Sequence, residues 1–291
     1  MPNGIVIIDK PAGWTSMDVC AKLRGIFHEK RVGHAGTLDP MATGVLPVFV
    51  GTATKAVQFA ETGDKEYVAR LRLGLVTNTQ DTTGEVLEER GVNVSEETLR
   101  AVLPRFTGEI EQIPPMYSAI KIGGKKLYEL ARRGEEVERA PRRVTIHALE
   151  LLEQCAPDEF ELRVRCSKGT YIRTLCHDIG AALGCGGCMG ALRRTMAAGF
   201  TIGEAVTLAQ VQQQGEAVLL PVAEYFRDYP VCTLRTHEQE RRAYHGNAIP
   251  APGVADGTYR VYDRSGEFLS ISRAQDGTLH LIKNFFCKEL L

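Results

Sequence analysis

Residues 65–73 alternate strictly. Tyr67, Ala69, Leu71 and Leu73 share one side, and Glu66, Val68, Arg70 and Arg72 the other. Successive side chains of an extended chain point to opposite faces, so this spacing predicts a strand with one buried and one charged side. Residues 160–166 repeat the pattern, with Phe160, Leu162, Val164 and Cys166 set against Glu161, Arg163 and Arg165. Both segments therefore belong in a sheet with something apolar packed on it.

Around them strands and helices alternate without a strict repeat. Residues 4–9 and the apolar run 45–50 read as buried strands. Thr15 and Ser16 cap a helix through about Phe27, residues 52–60 read as helical, and Ser95 caps a helix to about Leu103. Gly123-Gly124 marks a hairpin turn, followed by a helix over 126–133 that Gly134 ends. A helix over 171–183 puts Arg173 in its first turn, where the macrodipole disfavours a cation. An acidic group nearby would account for it, and a freely solvated arginine would also be tolerated there. After Pro230, strand-like pieces at 258–262, 268–272 and 279–282 are separated by Asp-Gly and Ser-Gly turns, which predicts a small all-β domain.

Between two apolar segments lies Gly33-His-Ala-Gly-Thr-Leu-Asp-Pro-Met-Ala-Thr-Gly44, a stretch too broken for helix or strand. Pro40 pushes Asp39 towards extended backbone angles, and the glycines permit turns that other residues resist. An isolated Asp-Pro commonly just starts a turn. Here His34, Thr37 and Asp39 crowd together, and the loop is built to present a carboxylate.

At 291 residues the chain divides naturally into one large domain and one small one. No apolar run reaches membrane-spanning length and the start lacks a basic region followed by a hydrophobic segment, so the expected location is the cytosol. Eight cysteines at irregular spacings do not resemble a secreted disulfide scaffold. Cys185 and Cys188 have metal-ligand spacing but no second close pair, so no metal site is expected. The net charge of −1 means that any nucleic-acid partner must be held by a local basic surface. One is visible between Tyr117 and Arg143, where eight basic residues face four acids, a local excess of +4.

With Lys10-Pro-Ala-Gly-Trp-Thr-Ser16, Lys65-Glu-Tyr67, Pro115-Met-Tyr-Ser-Ala-Ile-Lys121, Cys166-Ser-Lys-Gly-Thr-Tyr-Ile-Arg173 and Leu192-Arg-Arg-Thr195, the 33–44 block resembles the bacterial TruB-type tRNA pseudouridine synthases, in order from residue 4 to about 226. The resemblance implies an α+β fold: a central mixed, mostly antiparallel sheet flanked by helices, with a small C-terminal all-β, PUA-like barrel. It implies a catalytic domain over 1–228, an RNA-contacting insertion at about 121–143, and an RNA-binding domain over 229–291. It also implies that Asp39 is the catalytic aspartate, that Arg173 pairs with it, and that Tyr67 stacks on the target uracil. Tyr171 and Leu192 would line the same pocket, together with Gly36 and Thr37, and His34 would fill the stack that a flipped base vacates. Lys10, Lys65, Lys121, Lys125, Lys126, Arg132, Arg133 and Arg193 would meet RNA.

The implied partner is the T-arm of tRNA. The reaction exchanges an N1–C1′ bond for C5–C1′ with no redox change, so no cofactor is expected, and the chain would act as a monomer. Cys188 stands where the family usually carries histidine, and Asn78 where aspartate is common; neither carries the implied chemistry. A base-removing N-glycosidase and a non-catalytic RNA-binding or chaperone protein are the alternatives.

Overall fold

The computed structural model describes residues 1–286. Its main sheet has nine strands. Across the sheet run Gly4–Lys10, Thr43–Val50, Gly187–Ala197, Lys65–Leu73, Glu159–Cys166, Arg142–Ala156 and Gly108–Gln112. Val32–His34 adds to Thr43–Val50, and Phe200–Thr201 to Gly187–Ala197. Every pairing is antiparallel except that of Arg193 and Arg194 with Thr43 and Gly44, which is parallel. The sheet is thus mixed and mostly antiparallel, as expected.

Helix Ser16–Phe27 begins with a reciprocal cap between Thr15 and Asp18 and buries Val19, Cys20, Leu23 and Phe27. Helix Ile172–Ala182 buries Ile172, Leu175, Cys176 and Ile179. Gly180 lets it approach the sheet: a Cβ there would stand 2.3 Å from the Gly187 backbone nitrogen. Beneath it the main core gathers Tyr67, Ala69, Leu71, Phe160, Leu162 and Val164, the inward sides of the two alternating segments.

A second, five-stranded sheet runs in the order Val231–Thr233, Gly257–Tyr262, Phe268–Gln275, Thr278–Asn284, Ile249–Pro250. Asp276 and Gly277 both have positive φ, as a tight hairpin turn requires. This unit also carries a helix, His237–Tyr244, which the sequence reading did not anticipate. Ile271 and Phe285 pack into the same core as Ile5 and Phe49, and Phe226 contacts Phe268 and Phe285.

Several local expectations are corrected. Residues 51–60 form a 3-10 turn, Gly51–Ala56, and only then one α-turn, Val57–Ala60. The hairpin at Gly123-Gly124 is present, but the following helix is just Leu127–Ala131. Gly33 and His34, read as loop, end a short edge strand. Gly187–Ala197, in the middle of the sheet, and Arg142–Ala156, next to its edge, were not anticipated as strands. No helix among the described residues is long and apolar enough to cross a membrane.

Candidate active site

The loop between His34 and Thr43 is anchored by its apolar members. Ala35 and Leu38 are buried, while Thr37 is exposed and Asp39 half-buried. Ser16 holds the middle of the loop, its hydroxyl accepting from the Leu38 amide at 2.9 Å. At the turn, the Ala42 amide donates to the Asp39 carbonyl and the Gly13 amide to the Pro40 carbonyl. Asp39 is thereby presented on a fixed backbone, with its side chain 37% exposed.

Arg173 reaches it from the start of helix Ile172–Ala182. Its Nε lies 3.0 Å from Asp39 Oδ2 and its Nη2 3.4 Å from Oδ1. The remaining donors are also placed: Nη1 donates to the Thr79 carbonyl at 3.1 Å and Nη2 to the Tyr117 carbonyl at 2.9 Å. A second carboxylate, Asp81, stands 3.8 Å from Nε. Asp81 is buried, and its Oδ1 accepts from Thr79, from the Thr83 hydroxyl and from the Thr83 amide. The charge that a helix start disfavours is therefore met by acids from two separate loops. Asp81, Thr79 and Tyr117 escaped the sequence reading; the self-bonding cluster of Thr77, Thr79, Asp81 and Thr83 was the available signal for a built turn.

Tyr67 is 7% exposed, inside the same core cluster as Leu38, Ala42 and Leu192. Across the strands it pairs with Arg194, whose positive charge acts on its phenol. Burial pushes its phenol up, so it stays neutral. Tyr171 caps the arginine's helix; its amide donates to Gln112 Oε1 at 3.0 Å and its carbonyl accepts from Gln112 Nε2 at 3.1 Å. His34 is half-buried, with Nδ1 lacking a partner, and burial plus the Arg194 charge lower its pKa. A neutral ring is the result.

The basic residues divide. Lys121, Lys125, Arg132 and Arg133 are exposed. Lys126 Nζ and the Arg132 guanidinium lie 5.4 and 5.5 Å from the centre of the Tyr128 ring, which they flank. Arg193 is already bound by Asp9, at 3.1 and 2.9 Å. Lys65 is half-buried and donates to the Gly63 carbonyl. Lys10 is not an RNA contact: it is 0% exposed, and its three N–H groups meet the carbonyls of Pro11, Trp14 and Pro40. Burial lowers its pKa to about 8, against the opposing pull of Asp39.

Asn78 closes its own turn, accepting from the Glu85 amide at 3.0 Å. Cys188 is buried and its thiol is pushed up to about 11. Among the described residues, the three metal-capable side chains that converge are Glu153, Cys155 and Glu161, and neither Cys185 nor Cys188 is with them.

The fold places the chain among the pseudouridine synthases. It superposes on a solved Cbf5-Nop10-Gar1 complex with a TM-score of 0.74 and 26% identity, over 98% of this chain and 86% of that one. Residues 24–172 match the TruB family pseudouridylate synthase (N terminal domain), and residues 173–225 the tRNA pseudouridylate synthase B C-terminal domain. A tRNA pseudouridine synthase B of Ralstonia pickettii is 49% identical, covering 95% of this chain and 92% of its own length. Another, of Pseudomonas putida, is 45% identical, covering 95% and 93%. The chain belongs to the TruB family.

Proposed function

We propose that the chain isomerises a uridine in the T-loop of tRNA, at position 55, to pseudouridine. One observation carries the reading: a carboxylate on a rigid loop, Asp39, doubly contacted by a nearly buried arginine that nothing about its own helix would favour. The tRNA pseudouridine synthase B relatives supply the substrate class.

The chemistry needs what the site holds. When N1–C1′ breaks, its electron pair stays on the uracil and C1′ becomes electron-poor. The freed base turns, C5 bonds to C1′, the C5 proton leaves and N1 gains one. Atoms and charge balance without an oxidant or a metal. An ionised carboxylate can stabilise or bond the electron-poor centre, or take up the proton. Arg173 pairs with Asp39 through two contacts and fixes the direction in which the carboxylate faces the bound base. Tyr67 would contact the uracil with a flat neutral ring, and Tyr171, Leu192, Gly36 and Thr37 would bound the pocket.

The target must first leave the stack of its RNA loop, at a cost of a few kcal/mol. A neutral, half-buried His34 suits the place the base vacates. The exposed cations at 121–133 would meet phosphates, with residues 1–228 carrying the chemistry and residues 229–291 adding RNA-binding surface.

The test is mass analysis of an unmodified tRNA transcript before and after treatment. The expected result is one T-loop uridine converted to an isomer of unchanged mass that a carbodiimide derivatises. Loss of a uracil mass with free base released would make the chain an N-glycosidase, and an unchanged transcript would leave only a binding protein.

A further inference from the structure

Arg194 is the largest side chain fully withdrawn from solvent, at 0% exposure. Among the described residues no carboxylate oxygen comes within 4.0 Å of its guanidinium. Its donors go instead to backbone carbonyls of the Asp39 loop. Nη2 donates to Gly36 at 3.0 Å, Nη1 to Thr37 at 3.5 Å, and Nε to Val45 at 2.7 Å. Those acceptors lie on both sides of Asp39, three and two residues before it and six after. Tyr67 is the cross-strand neighbour of Arg194, and its ring lies within the electrostatic reach of the same guanidinium.

The backbone shows how close the clamp is. Gly44 has φ +100, and a Cβ there would fall 2.2 Å from the Arg194 carbonyl oxygen. The loop's far end is thus seated directly on the strand that carries the arginine. A planar fork spreads five donors over three nitrogens, so it reaches separated carbonyls that the single nitrogen of a lysine cannot reach from one position.

We propose that Arg194 is a positioning residue for the reaction. It locks both ends of the Asp39 loop into one geometry. It also holds a positive charge without a carboxylate partner next to Tyr67, the residue assigned to contact the uracil. This inference rests on the synthase reading.

The test compares wild type with Arg194→Lys and Arg194→Gln in single-turnover reactions, with enzyme in saturating excess over tRNA. That rate constant does not depend on the folded fraction, and affinity is measured separately. We expect tRNA affinity within about threefold of wild type and rate constants lowered by roughly 10²–10³-fold for Gln, with partial recovery in Lys, the range for losing one oriented donor. Rates within about threefold of wild type in both variants, or rate losses matched by equal affinity losses, would overturn it.

Should neither variant fold, Gly36→Ala decides. It strains a φ of +82 at the carbonyl that accepts from Arg194 Nη2, and puts a Cβ 3.3 Å from Lys65 Cε and 3.5 Å from Arg194 Nη1, without emptying the core. A wild-type single-turnover rate there would overturn the proposal. If wild-type protein itself yields no pseudouridine, the synthase reading fails instead, so the two failures are distinct.

Discussion

Arg173 grips Asp39 from the side, Nε to Oδ2 at 3.0 Å and Nη2 to Oδ1 at 3.4 Å, while its other contacts hold the guanidinium in place. Five oxygens on four residues, Asp39, Thr79, Asp81 and Tyr117, surround this one side chain. Few rotations remain open to it.

Arg173→Lys should therefore keep the charge and lose the geometry. Arg173 serves Asp39 and two carbonyls from three separate nitrogens, which one ammonium cannot match in position, so the single-turnover rate should fall by roughly 10²–10³-fold with modest change in tRNA affinity. Asp81→Asn should cost less, because its 3.8 Å contact is the longer of the two acidic ones. A rate near wild type in Arg173→Lys would break the assigned pairing.

Lys10 gives the site a pH response. Its folded pKa is lowered from the ordinary 10.5 to about 8, so the ammonium is charged below that value and neutral above it. The neutral amine has two N–H groups for three carbonyls, one of them Pro40 beside Asp39. The single-turnover rate should decline as pH rises through about 8. This group's share of stability runs the other way: between about 8 and 10.5 the unfolded chain binds more protons, so the burial penalty is relieved as pH rises. Activity that falls while the fold holds is the signature to look for. Lys10→Arg, charged throughout, should flatten the alkaline limb; an unchanged midpoint in that variant would rule Lys10 out.

The exposed cations predict a salt response. For every phosphate that a variant no longer neutralises, the slope of log affinity against log salt should flatten by about 0.7–0.9. Titrations with the Lys125, Lys126 and the Arg132, Arg133 double alanine variants measure it. An unaltered slope in both would remove residues 121–133 from the RNA surface.

What the sequence revealed followed local chemistry. Alternation identified the strands at 65–73 and 159–166 because each has one wet side. Gly187–Ala197 was hidden because both its faces are largely covered, leaving glycine, alanine, cysteine and methionine without a period. Missing that strand hid Arg194, since an arginine's inward position can be read only from a strand's register. Arg142–Ala156 is long and mostly exposed, with too few buried positions to set a pattern. Asp39 was legible because glycine and proline mark a built loop; Arg173 was half-legible, because its place at a helix start suits either a nearby acid or a freely solvated side chain. Asp81 was not, because its partner lies 92 residues further along the chain. Lys10 was misread because a lysine's charge does not say whether carbonyls or phosphates surround it.

The most direct test uses tRNA carrying tritium at uridine C5, incubated with wild type and with Asp39→Asn. Forming C5–C1′ must expel the C5 hydrogen, so tritium in solvent counts turnovers. Wild type should release about one tritium per tRNA from the T-loop uridine, and Asp39→Asn none, with tRNA affinity kept within about tenfold because phosphates supply most of it. Appreciable tritium release by purified Asp39→Asn would contradict the account.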